Sequence, residues 1–340
     1  MLVATAVGAA ADDRVHFTLN TSEADAVLAI LSKRAAGQDV AAADWQKLFA
    51  SQPYLRLKKR EASMHRDFTD EDFKAFVLSD GLAKQAPSLQ RTLDAWKKSD
   101  LPVTANRILP YLPPDANVKA SVYPVIKPRT NSFVFETDTN PAIFLYLDPE
   151  QSQSEFENIV AHESHHIGFS DANKQYEERI KSLPENARKA AEWMGAFGEG
   201  LAVLAAAGSA DVHPMKDFNN DQRIRWDQDM KFADQELIEV NQFFLDVIAG
   251  GFAKPEVADH VAFTFFGYRG PWYTVGYLMG RTVEKRFGRA VLIQCMSDPR
   301  QLLAKYNEVA AEQNATGKDK LPLWSAEVLQ AVGAHVAGTK

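Results

Sequence analysis

The sequence holds a single cysteine, Cys295, in 340 residues. No internal disulfide can form and no thiolate-built metal site is open to it, so any metal must be held by histidine and carboxylate. Positive charge is also scarce: Lys and Arg number 38 against 45 Asp and Glu, a formal net charge of -7 with a pI near 5.7. The densest basic run, Arg56-Leu57-Lys58-Lys59-Arg60, stands beside Glu61. It reads as a solvated helix face, not a phosphate-neutralising patch, which argues against nucleic acid as a partner. Nor does any stretch approach the roughly 20 apolar residues that a membrane span takes. The rest of the composition, 46% hydrophobic and 24% charged, is that of an ordinary globular chain, long enough for one large domain or two.

The opening M-L-V-A-T-A-V-G-A-A-A has the apolar character and A-x-A ending of a signal peptide, without its basic start. Residues 1–11 are therefore expected to be a truncated signal remnant. That places the protein in the periplasm or outside the cell; an apolar N-terminus of any other kind would leave it cytoplasmic.

Apolar residues then recur at helical spacing from Ser22, from Asp44, from the acidic cap Thr69-Asp70-Glu71-Asp72, and over 82–96. The segment 12–115 is expected to form an N-terminal helical region. Pro102, Pro110, Pro113 and Pro114 break helical structure and mark its boundary. Three strand-type runs follow at 118–126, 132–136 and 142–147, which suits a small antiparallel or mixed sheet. Pro124 and Pro141 should keep to its edges. Helical spacing resumes over 184–207, 221–249 and from Gly270-Pro271 to Gly288.

Between sheet and later helices lies S-E-F-E-N-I-V-A-H-E-S-H-H-I-G, residues 154–168. Ser154 and Glu157 have capping-box spacing, and Phe156, Ile159, Val160 and Ile167 share a face, so the run is expected to be a helix. Within it His162-Glu163-Ser164-His165-His166 satisfies H-E-x-x-H. Residues four apart lie one above the other on a helix, so His162 and His166 aim two imidazoles at one point, the geometry of a zinc site. Glu163 lies on the flank of that face, where a carboxylate can act as general base on water without ligating the metal. His165 is one position off the face and reads as a structural histidine beside the site.

A catalytic zinc takes three protein ligands. The extended H-E-x-x-H-x-x-G-x-x-H form is excluded, because Phe169 and Ala172 stand where it needs Gly and His. Asp171 is a minor candidate. Glu199 is stronger: in Gly198-Glu199-Gly200 it sits on a second helix whose small residues permit close approach. Glu192, two turns earlier, lacks those glycines and suits a surface contact.

H-E-S-H-H, followed by G-E-G-L-A and W-Y-T-V-G, resembles the gluzincin superfamily of zinc metallopeptidases, and more closely its branch of predicted zinc-dependent peptidases. The resemblance covers roughly 118–288. It implies that Glu199 is the third ligand of one Zn2+, and that Tyr273, in a Y-x-x-G setting with Gly276, donates to the oxyanion, with Tyr277 as its alternative. It implies a mostly helical α+β fold in which residues 116–340 form a gluzincin-like peptidase domain. Two departures limit the likeness: the interval from His166 to Glu199 is longer than in the best-known families, and no G-x-M-E-N segment for a free amino terminus is present. The expected activity is hydrolysis of peptide bonds in a peptide or protein substrate. The alternatives are a zinc hydrolase of another amide or ester, and a non-catalytic binding protein that the metal stabilises.

Overall fold

The apolar alternations of the chain meet in one four-stranded sheet ordered β1-β2-β4-β3, formed by β1 (Val15–Leu19), β2 (Val118–Val125), β3 (Phe133–Phe135) and β4 (Ala142–Tyr146). The computed structural model describes residues 14–317 and 320–334, so the expected signal remnant lies outside the described residues. β1 runs parallel to β2 and β2 parallel to β4, while β3 pairs antiparallel with β4. The sheet is mixed, and around it the fold is mostly helical, an α+β arrangement. No helix among the described residues is long and apolar enough to cross a membrane.

β1 was not expected from the sequence, although Val15 and Phe17 are buried and His16 and Thr18 exposed in the alternation of a half-covered strand. It makes the N-terminal region part of the sheet. Pro124 also departs from expectation, since β2 is an interior strand. It is tolerated because β1 ends at the Leu19↔Val122 pair, leaving no neighbour on that side to miss a proline N–H. Two residues on, Ile126 N–H turns the same way and donates to the Glu23 carboxylate at 3.0 Å. Glu23 is fully buried, and burial pushes its carboxyl up to about 8 against the opposing pull of that N–H and of Lys127.

Three further expectations are corrected. Pro102 does not break a helix but opens one, Leu101–Ile108, in the first turn where its missing N–H is not needed. The basic run at 56–60 is only partly a solvated face: Lys59 is exposed, but Arg56 is buried on helix Gln52–Ser63, pairing with Glu136 at 2.7 Å and donating to Tyr123 Oη at 3.1 Å, and Arg60 lies over the Phe133 ring. The helical stretches 184–207 and 221–249 are each interrupted by a 3-10 turn, Gly195–Phe197 and Met230–Phe232.

The helix that carries the histidines, Gln153–Gly168, packs on β2, β3 and β4 and also on helix Gly198–Ala207, which in turn packs against helix Pro271–Phe287. The sheet and two later helices thus bracket the H-E-x-x-H segment.

Candidate metal centre

Helix Gln153–Gly168 starts one turn-fragment earlier than its sequence suggests. Ser152, not Ser154, is the N-cap: its Oγ accepts from Glu155 N–H at 3.2 Å, and Glu155 Oε2 accepts from Ser152 N–H at 2.7 Å. Both pairs have capping-box spacing, but buried Glu155 also accepts from Asn219 N–H at 3.1 Å. That tertiary bond favours the earlier box. Ser154 instead donates to Asp217 O, and Glu157 accepts from Asp100 N–H.

One turn apart on this helix, His162 and His166 bring their Nε2 atoms to 3.2 Å. Glu199 Oε2 lies 3.1 Å from His162 Nε2 and 3.5 Å from His166 Nε2. Ligands held tetrahedrally about 2.0–2.1 Å from a zinc ion stand roughly 3.3 Å apart, so the three atoms have the spacing the ion requires. Two imidazoles and one carboxylate are also a donor set that zinc accepts while leaving a position open. No other such cluster occurs among the described residues.

Glu199 reaches the histidines because its helix lies almost backbone to backbone against helix Pro271–Phe287. A Cβ on Gly200 would fall 2.2 Å from Tyr277 N and 2.3 Å from Tyr273 O, and one on Gly276 would fall 2.5 Å from Phe197 O. Only glycine fits at either crossing position. This gives the glycines of G-E-G and Y-x-x-G a packing function. The second helix is tied from behind by Thr274, fully buried, which donates to Glu236 on helix Ala233–Ile248. Sequence reading had not singled out that pair, which carries no motif.

Charge is shared across the cluster. Burial disfavours a charged His166, but the Glu199 carboxylate, with a smaller pull from Glu163, outweighs it and pushes the ring up to about 9. For Glu199 the balance runs the other way: burial would raise it, and His166 and His162 hold it far below the usual carboxylate range. Glu163, half-buried beside them, is raised by burial, opposed by the two histidines and reinforced by Glu199.

The Tyr273 ring stacks 6.4 Å from that of His162, and burial followed by the Glu199 carboxylate raises its hydroxyl, so it stays protonated. Tyr277 instead packs its ring edge-on to Trp226 at 5.2 Å. Asp171 stands outside the cluster, almost fully exposed. Glu192 is also outside it and pairs with Arg188 at 2.7 Å. His165 is buried with neither ring nitrogen partnered, and burial, followed by His166 and His162, holds it well below the usual histidine range.

A cavity of about 280 Å³ opens beside His166 and Glu199, walled by Phe169, Trp193, Phe266 and Met296. A larger one, about 360 Å³, lies around Asp115, Asp138 and Asp171 and touches no member of the cluster. The aromatic residues of the first cavity come from separate segments, and no sequence spacing links them.

Comparison with known protein families finds a match. A family described as "Putative zinc dependent peptidase (DUF5700)" matches residues 45–315. No curated protein and no solved structure matches the chain. The matched segment contains His162, Glu163, His166, Glu199 and Tyr273, and with most of the sequence covered, this chain belongs to that family of putative zinc-dependent peptidases.

Proposed function

We propose that the protein is a zinc metallopeptidase in which His162, His166 and Glu199 hold one Zn2+ and Glu163 is the general base. The observation that carries this reading is the convergence of the three ligand atoms from two helices, with His162 and Glu199 37 residues apart in sequence, beside the Glu163 carboxylate on the histidines' helix. Zinc bound there supplies Lewis acidity to the scissile carbonyl and lowers the pKa of water.

The protein's own residues account for the remaining chemistry. Glu163 takes the proton of the attacking water and passes it to the leaving amine. Tyr273, kept protonated by burial and by Glu199, donates a hydrogen bond to the carbonyl oxygen as negative charge builds on it. The substrate is a peptide or protein. Export to the periplasm or outside the cell belongs to the same proposal, and N-terminal sequencing of protein from its own host tests it; retention of Met1 would exclude it.

The test of the mechanism is Glu163→Gln, which keeps the shape and removes the proton acceptor. Zinc content should match wild type while peptide hydrolysis falls about 10²- to 10⁴-fold. Undiminished hydrolysis by Glu163→Gln, on a peptide whose cleavage is abolished by zinc removal, would sink the assignment.

A further inference from the structure

Two glycines beside Glu199 have no folding reason to be glycine. Gly195 (φ -57, ψ -26) and Gly198 (φ -49, ψ -29) have ordinary helical backbones, and a Cβ added to either meets nothing within 4 Å. Gly200, two residues on, is hemmed in by backbone. In helical conformation each glycine costs about 1 kcal/mol relative to alanine, so their presence needs another cause. Both line the cavity that His166 and Glu199 border. The space that their missing side chains leave is the space next to the metal ligands.

Large apolar and aromatic side chains wall that space, with Asn173 and Glu192 as polar members beside the histidines and Glu199. Its walls are Phe169, Trp193, Phe266 and Met296, and no lysine or arginine lines it. Its one carboxylate besides Glu199 is Glu192, already paired with Arg188 at 2.7 Å. His166, the cation an acidic side chain could approach, already faces the Glu199 carboxylate at 3.5 Å, and a basic side chain would have to compete with Arg188 for Glu192. His165 also lines it, buried and without a hydrogen-bond partner on either nitrogen, its ring 4.7 Å from that of Phe169. A volume of about 280 Å³ is at the small end for ligand pockets and suits one large side chain.

We propose that this cavity is the subsite for a large apolar side chain, aromatic above all, on a residue flanking the scissile bond, and that Gly195 and Gly198 keep it open. The inference rests on the peptidase reading for the words "scissile bond" but not for the binding preference. Such a side chain lies against the walls of the cavity while its own backbone carbonyl reaches the cluster. Burial of a phenylalanine-sized group favours it over a small one by about 10- to 100-fold.

The experiment compares phenylalanine hydroxamate with glycine hydroxamate by calorimetry on the zinc-loaded full chain, alongside cleavage of a mixed peptide library. Phenylalanine hydroxamate should bind about 10- to 100-fold tighter to wild type. Gly195→Leu, whose Cβ meets nothing within 4 Å and whose longer side chain takes up cavity space, should erase that margin while zinc content holds and Tm does not fall; Gly198→Ala should narrow it. Equal affinities in wild type, or an undiminished margin in both variants, overturns the subsite. Library cleavage beside large apolar residues, shifting to small ones in Gly195→Leu, supports the subsite and the peptidase reading together. Cleavage with no such preference overturns the subsite alone. A protein that keeps the hydroxamate margin but cuts no peptide overturns the peptidase reading and supports the subsite.

Discussion

The crossing of helices Gly198–Ala207 and Pro271–Phe287 sets where Glu199 stands, and Gly200→Ala perturbs it by a single methyl group. The added carbon would lie 2.2 Å from Tyr277 N, 2.3 Å from Tyr273 O and 2.6 Å from the Gly276 carbonyl carbon. Non-bonded carbon atoms settle near 3.5–4.0 Å, and all three obstacles are backbone, so the helices must part by about 1 Å. Overpacking of this kind costs about 1–3 kcal/mol, a fall of several degrees in Tm. The effect on the metal should be larger than stability alone predicts. Ligand positions are tolerated to within about 0.2 Å, so a displacement of about 1 Å takes the Glu199 carboxylate out of bonding reach. Zinc affinity, measured by competition with a chromophoric chelator, should drop at least about tenfold to a hundredfold. Gly198→Ala is the control, because its Cβ meets nothing within 4 Å; it should keep zinc and gain up to about 1 kcal/mol of stability. Wild-type zinc affinity in folded Gly200→Ala would refute the idea that this crossing positions the ligand.

Glu199→Ala should lose zinc under mild chelation while Glu192→Ala retains it, read as bound metal per chain; equal retention by both would move the third ligand elsewhere. Tyr273→Phe should leave zinc content intact and lower turnover by roughly a hundredfold or more, whereas Tyr277→Phe should not; the reverse pattern would exchange their roles. For Glu23, the folded carboxyl is raised from 4.5 to about 8, so between those pH values the native state holds a proton that the unfolded chain has released. Its stabilisation is complete below pH 4.5 and is lost as pH rises toward 8, by up to about 1.4 kcal/mol per pH unit. Urea midpoints of Glu23→Gln should therefore fall less with rising pH across that window than those of wild type, and parallel curves would contradict the buried, protonated state.

The local part of the site was legible in the sequence because its information lies within a few turns of helix. H-E-x-x-H fixes His162 and His166 on one face by the 3.6-residue repeat alone, and the glycines around Glu199 mark a helix that can approach another closely. Even there the cap was ambiguous: two Ser-x-x-Glu pairs compete, and a hydrogen bond from Asn219, 64 residues on, favours the earlier one. The sheet was only partly legible. Its three later strands announce themselves by composition, but β1 joins through parallel pairing with a segment about a hundred residues away, which no local pattern encodes.

Arg56 shows the same limit from the other side. Among lysines and arginines it has the look of a solvated residue, yet Glu136, Tyr123 and Asn140 come from distant strands and turns to receive it. Tertiary structure alone brought the carboxylate of Glu199, which the sequence already ranked above Glu192 and Asp171, up to the histidines. It also decided that Tyr273, and not Tyr277, faces His162, and that Phe169, Trp193, Phe266 and Met296 share a cavity with them. The physical reason is that helical periodicity orients a side chain about its own axis, whereas the distance between two axes is set by what packs between them. Here that is the absence of side chains at Gly200 and Gly276.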